Sequence, residues 1–185
     1  MSETPSLRLA VIIGSTREGR VGARIGDWFA RLARRRAELS VQVVDLAGYT
    51  FPARHPRTPT PAIDRFTGEI GRADAFVIVT PEYNRSYPAS LKQAIDYAYD
   101  EWRAKPVGFV SYGSGSVGSF AVEHLRTVFA ELHATTVHDV VGLDLFSGDD
   151  LLSAAPEQAA ESLLDQIAWW GRALRDARTL RPYVC

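Results

Sequence analysis

Three short loops carry the residues whose types and spacing could do chemistry. The first reads Gly14-Ser15-Thr16-Arg17-Glu18-Gly19-Arg20, ahead of a helix predicted to begin at about Val21. Backbone amides at a helix start, the hydroxyls of Ser15 and Thr16 and the cations Arg17 and Arg20 suit a phosphate. An ordinary strand-to-helix turn closed by a Ser or Thr cap is the competing reading. No Gly-Lys-Ser/Thr follows and the spacing is not G-x-G-x-x-G, so a nucleoside triphosphate is disfavoured. The second loop is Pro81-Glu82-Tyr83-Asn84-Arg85-Ser86-Tyr87-Pro88. Its first proline stiffens the exit from a strand, so the amides and carbonyls that follow form a fixed array suited to the polar edge of a flat heterocycle. Glu82 as a general acid or base has no support in the sequence.

The third loop, Tyr112-Gly113-Ser114-Gly115-Ser116-Val117-Gly118, contains G-x-G-x-x-G between a predicted strand and helix. In a dinucleotide fold that fingerprint follows the first strand, with an acidic residue at the end of the next strand about 20 residues on. Here it follows the fourth strand, Asp139 falls within the predicted fifth and Asp144 beyond its end. A bare backbone loop that lets a planar ligand lie close is the better reading. Ser116 also sits in Ser-Gly-Ser-Val-Gly, a near miss to the nucleophile elbow, with His133 and His138 downstream. The elbow's first glycine is missing and His138 is expected inside a strand, which disfavours a hydrolase.

The elements that must position these loops are short apolar runs at Leu7 to Ile13, Val41 to Leu46, Ala75 to Thr80, Val107 to Ser111 and Thr136 to Val141. Each reads as a strand buried on both faces, which favours a parallel sheet. Between them, helical spacing links Ile25, Phe29 and Leu32, then Leu91, Ala94, Ile95, Ala98 and Trp102, then Leu125, Val128, Phe129 and Leu132. A last helix carries Leu163, Ile167, Trp170 and Leu174, with Pro156 near its start. Strands alternating with helices predict a three-layer α/β/α sandwich with a five-stranded parallel sheet in the order 2-1-3-4-5, whose ligands bind at the carboxyl ends of the strands. Residues 48–63 interrupt the rhythm with Pro52, Pro56, Pro59 and Pro61. They read as a long surface excursion, either a lid or partner-contacting loop or an irregular connection.

The chain has 185 residues, 46% hydrophobic and 23% charged, with a net charge of -1. One domain of this size buries roughly 70% of its unfolded surface. No internal repeat or linker divides residues 1–185, and a largely disordered chain is excluded. The near-neutral balance disfavours a nucleic-acid binder, although all but Lys92 and Lys105 of the 21 cationic residues are arginine. The lone cysteine, Cys185, allows no internal disulfide and no cysteine-based metal cluster, and no metal is expected. The N-terminal apolar run is too short to span a membrane and lacks a cationic leader, so a cytoplasmic protein is expected.

Taken together, GSTR after the first strand, PEYN followed by YPASLKQAIDY after the third and SYGSGS after the fourth resemble the NADPH-dependent FMN reductase family of the flavodoxin-like fold. The resemblance runs from about Leu9 to Ala134 and weakly through the Trp169-Trp170 pair. It implies a bound FMN that accepts hydride from NADPH or NADH and passes electrons to free flavin, quinones, azo dyes or metal oxyanions. Carried over by position, Ser15, Thr16 and Arg17 would bind the FMN phosphate with amides near Arg20, Val21 and Gly22. Pro81, Glu82, Tyr83 and Asn84 would contact the ribityl chain and the ring edge, and Tyr112, Gly113, Ser114, Gly115 and Ser116 would border the ring from the other side. The resemblance assigns no catalytic side chain, since the cofactor performs the difficult step. It also implies a homodimer or homotetramer, to which residues 48–63 and the helix from Ser86 to Trp102 could contribute. Two positions depart from the family's habit. Val21-Gly22 stands where many relatives have a serine, and Ser114 follows Gly113 where they tend to have a second glycine. Arg17, Arg20 or Arg85 could meet the NADPH 2′-phosphate. An electron-transfer flavodoxin is the alternative, and the small net charge disfavours it because such proteins are usually markedly acidic.

Overall fold

A computed structural model describes residues 5–146 and 154–184; Cys185 lies outside them. In chain order the elements are β1 (Leu7–Ile13), α1 (Gly22–Arg34), β2 (Leu39–Asp45), α2 (Pro61–Arg72), β3 (Ala75–Pro81), α3 (Ala89–Tyr97), β4 (Pro106–Gly113), α4 (Ser119–Glu131), β5 (Thr135–Asp144) and α5 (Ala154–Leu180). The strands form one parallel five-stranded sheet in the order β2-β1-β3-β4-β5, as the alternation of elements predicts.

Two cores clamp the sheet. On one face Ile25, Phe29 and Leu32 of α1 join Leu163, Leu164 and Ile167 of α5 over Leu9, Val11, Val77 and Val110. On the other, Phe66 and Ile70 of α2, Leu91 and Ile95 of α3 and Leu125 and Phe129 of α4 pack on Ile12, Phe76, Ile78 and Phe109. Burial on both faces holds for the inner strands: β3 and β4 are buried throughout and β1 everywhere except Arg8. It fails for β2 and β5, where buried residues are interspersed with partly exposed or exposed ones. Those two are the sheet edges, and an edge strand faces a helix layer incompletely.

The elements also differ from expectation in three larger ways. The stripe ending at Trp102 is not one helix: α3 stops at Tyr97, and Trp102 reaches the core from a separate 3-10 turn, Asp100–Trp102. On α5 the buried face runs through Ala160, Leu163, Leu164, Ile167 and Ala168, while Trp170 is 37% and Trp169 63% exposed, because the helix turns its tryptophans off the sheet. β5 runs on to Asp144 and not only to Val141; its register against β4 shifts between Val107 and Phe109, leaving His138 and Asp139 in the unpaired stretch.

Residues 48–63 are anchored. The Pro52 carbonyl accepts hydrogen bonds from Gln93 Nε2 at 2.8 Å and Tyr97 Oη at 3.0 Å. Phe51 packs among Tyr49, Phe66 and Tyr97, and residues from Pro61 onward already belong to α2, whose N-cap is the Thr60 hydroxyl. This favours a fixed connection over a lid.

Candidate cofactor site

The loops after β1, β3 and β4 meet at the carboxyl edge of the sheet around a cleft of about 420 Å³. That volume is within the range of small-molecule and cofactor pockets. It is lined by Arg17, Glu18, Gly19, Arg20 and Val21, by Pro81, Glu82 and Tyr83, and by Tyr112, Gly113 and Ser114.

At the first loop the ordinary capping explanation fails. The N-cap of α1 is Val21, which makes no side-chain cap bond, and no acidic side chain stands in the first turn. No side chain therefore caps the start of this 13-residue helix, where the positive end of its dipole favours an anion. Beneath it, Ser15 is fully buried and Tyr112 is 3% exposed, and neither hydroxyl has a hydrogen-bond partner. Both crowd Gly22: a Cβ there would lie 2.2 Å from Ser15 Oγ and 2.4 Å from Tyr112 Oη. The Tyr112 phenol is pushed up to about 12, chiefly by burial, with the nearby Ser15 hydroxyl acting against it. Uncapped amides and two buried hydroxyls without partners are the donor set of an anion cradle, so the residues present fit the phosphate of an FMN.

The second loop is a tight hairpin. Tyr83 and Ser86 exchange both backbone hydrogen bonds, at 2.7 and 3.0 Å, and Asn84 and Arg85 take φ of 50° and 62°. Positive φ at both central residues marks a turn of type I′, and asparagine tolerates that region best among non-glycine residues. The hairpin is held on α4 by the Arg85 guanidinium, 3.8 Å over the Phe120 ring, and by a 3.0 Å contact between Ser86 Oγ and His124 Nδ1. Arg17 reaches across to the Tyr83 ring at 5.3 Å.

At the third loop, Gly118 takes φ 85° and a Cβ there would stand 2.6 Å from Ser111 Cβ, so only glycine fits. The Glu82 carboxylate serves α4 where no side chain of its own caps it, accepting from Phe120 N at 3.3 Å and Ser116 Oγ at 2.8 Å. Ser116 is thus a partner of Glu82, whereas His133 pairs with the Tyr183 hydroxyl and His138 with the Asp139 carboxylate.

Several expected residues lie off the cleft. Ser15 and Gly22 lie behind its lining, packed against each other and against Tyr112. Thr16 turns to a neighbouring hollow and donates to Ser90 Oγ at 3.3 Å. Asn84 builds the hairpin, and Gly115 and Ser116 shape the third loop. Two lining residues were missed: Leu145, 37% exposed, and Phe146, 76% exposed, which follow β5 directly. Ending β5 at Val141 hid them; the carboxyl-edge rule applied to the full strand would have found them.

A parallel sheet in the order 2-1-3-4-5, with a helix start free of side-chain caps after β1 and a cleft flanked by the loops after β3 and β4, defines a protein of the flavodoxin-like fold. Residues 7–148 match the NADPH-dependent FMN reductase family, and the chain belongs to that family, which uses FMN with NAD(P)H as electron donor. It is 30% identical over 185 residues to a 2-hydroxy-1,4-benzoquinone reductase of Burkholderia sp, covering 92% of this chain and 99% of that one. It is 37% identical over 123 residues to an NAD(P)H-dependent FMN reductase of Schizosaccharomyces pombe, a match spanning 62% of each chain. In fold it is similar to an oxidoreductase from Corynebacterium diphtheriae, with TM-score 0.75 and 19% identity over 92% of this chain and 99% of that one.

Proposed function

We propose that this protein is an NAD(P)H oxidoreductase that holds FMN in the cleft between the three loops and reduces quinones and free flavins. The observation that carries the reading is the pair of buried hydroxyls, Ser15 and Tyr112, under the uncapped start of α1. When bound, FMN supplies acceptance of a hydride from the nicotinamide and release of the electrons to the acceptor.

This chain's residues do the rest. Ser15, Tyr112 and the first amides of α1 hold the phosphate. Backbone groups from Pro81 to Tyr83 and at Gly113 and Ser114 orient the flat ring, and the Glu82 strut keeps those two loops at a fixed separation. Leu145 and Phe146 give the cleft an apolar border that excludes water and accepts a second flat molecule. Glu82 is engaged structurally, and no side chain of the chain is assigned a proton-transfer role.

The same proposal makes residues 1–185 one cytoplasmic flavodoxin-like domain that assembles as a dimer or tetramer. Two features support these parts. No described helix is long and apolar enough to cross a membrane, and a groove between α3 and α4 sets Tyr99, Val128 and Leu132 among the charges of Lys92, Asp96 and Glu131. One cleft serving donor and acceptor in turn predicts ping-pong kinetics. Initial rates with NADPH and a benzoquinone should give parallel double-reciprocal lines; converging lines would mean that both substrates bind together and would contradict it.

A further inference from the structure

Arg20 is already engaged. Gly19 takes φ 65° and turns the chain so that the Arg20 guanidinium reaches back. Its Nη1 donates to the Ser15 carbonyl at 3.0 Å and its Nη2 to Asp45 Oδ2 at 2.5 Å. Asp45 closes β2, and its other oxygen accepts from Ala47 N at 3.0 Å, so a backbone turn fixes the carboxylate. The two side chains are only 16% and 33% exposed.

We propose that Asp45 is a positioning residue for the cofactor loop: through Arg20 it fixes the Ser15 carbonyl, and with it the direction in which the loop presents its amides and the Ser15 hydroxyl. The inference rests on the reading that this loop holds the FMN phosphate. Asp45 belongs to a different strand from the loop, and its negative charge is the wrong sign for a phosphate ligand. Simple electrostatics therefore predicts that removing it frees Arg20 and tightens FMN binding. Positioning predicts the reverse. A planar guanidinium can bridge a carbonyl and a carboxylate at once, which is why a lysine would not replace Arg20. A partly desolvated ion pair adds little net stability, but it holds one geometry against alternatives.

The test strips flavin from the wild type and from Asp45→Asn, Arg20→Lys and the double variant Arg20→Lys/Asp45→Asn. Each is titrated with FMN and with riboflavin, following flavin fluorescence. Asparagine keeps an oxygen for Ala47 N, so the change is confined to the charge pair. Asp45→Asn and Arg20→Lys should each weaken FMN binding about tenfold, the scale of a charged hydrogen bond. Riboflavin binding should be unchanged, and the double variant should be no weaker than the weaker single variant because the residues act as one unit. Unchanged or tighter FMN binding by Asp45→Asn overturns the proposal, as does an equal loss for riboflavin, which would mark a general structural effect. A wild type that binds FMN and riboflavin alike overturns the phosphate-loop reading and the proposal with it.

Discussion

Glu82 accepts a hydrogen bond from the Ser116 hydroxyl at 2.8 Å, fastening the loop after β3 to the loop after β4. The same carboxylate takes the Phe120 amide at the start of α4, where a negative charge is favoured by the helix dipole. An acid with this job is a strut. Glu82→Ala should lower stability by roughly 1–2 kcal/mol in denaturant unfolding. Glu82→Gln, which keeps an acceptor oxygen, should retain turnover close to wild type at neutral pH. A fall of about a hundredfold or more in Glu82→Gln, the scale of a lost general acid or base, would contradict the structural role.

Gly22 leaves no room for a side chain between the Ser15 and Tyr112 hydroxyls. Gly22→Ala should fold, since alanine suits a helix start and the obstructing atoms are side-chain ends, but it must push one or both hydroxyls out of place. Flavin content of the purified variant should fall at least about tenfold, on the scale of one lost charged hydrogen bond. Full flavin content in Gly22→Ala would show that the two hydroxyls do not hold the phosphate.

Phe146 is fixed through its backbone, with its amide donating to Asp144 Oδ1 at 3.0 Å, while its ring remains 76% exposed beside the cleft. Phe146→Ala should raise KM for an apolar quinone roughly fivefold, consistent with the loss of one aromatic contact. Flavin content and the rate with ferricyanide, a small hydrophilic acceptor, should not change. Equal losses for both acceptors would remove the assignment.

At the opposite edge of the sheet Lys105 is buried, donating to the carbonyls of Ile70 at 3.1 Å and Gly71 at 3.0 Å. Burial, helped by the charge of nearby Arg178, lowers its pKa from 10.5 to about 8. The folded chain then holds this proton less tightly than the unfolded chain, so stability rises from about pH 8 towards 10.5, by roughly 2–3 kcal/mol for this group. Tyr112 acts with the opposite sign above about pH 10, where the unfolded phenol ionises first. Lys105→Met should flatten the rise between pH 8 and 10 in urea unfolding midpoints; an unchanged slope would show that Lys105 is not its source.

Much of this was legible in the sequence because a buried parallel strand writes itself as an unbroken apolar run, and β1, β3 and β4 are such strands. The apolar run of the edge strand β5 ends at Val141 because burial alternates beyond it, around Gly142 and Asp144, so the sequence gives no sign that Leu145 and Phe146 follow a strand. Ser15 and Arg17 stood out through residue type alone. The Arg20–Asp45 pair could not: its members are far apart in sequence and meet only because β2 lies beside β1. The glycine at position 22 looked like a missing contact, and its reason is the Tyr112 hydroxyl arriving from β4. Trp170 kept helical spacing with Ile167 yet faces outward, since spacing fixes a stripe's direction and not its width.

The proposed activity is reduction, by a nicotinamide, of an FMN that this chain carries. The most direct measurement is the visible spectrum of the purified protein, with FMN restored if needed, before and after anaerobic mixing with NADPH and, separately, NADH. A bound-flavin band should bleach on mixing with at least one of the nucleotides and return when a quinone is added. A protein that binds no FMN, or whose bound FMN keeps its absorbance with both nucleotides, would contradict it.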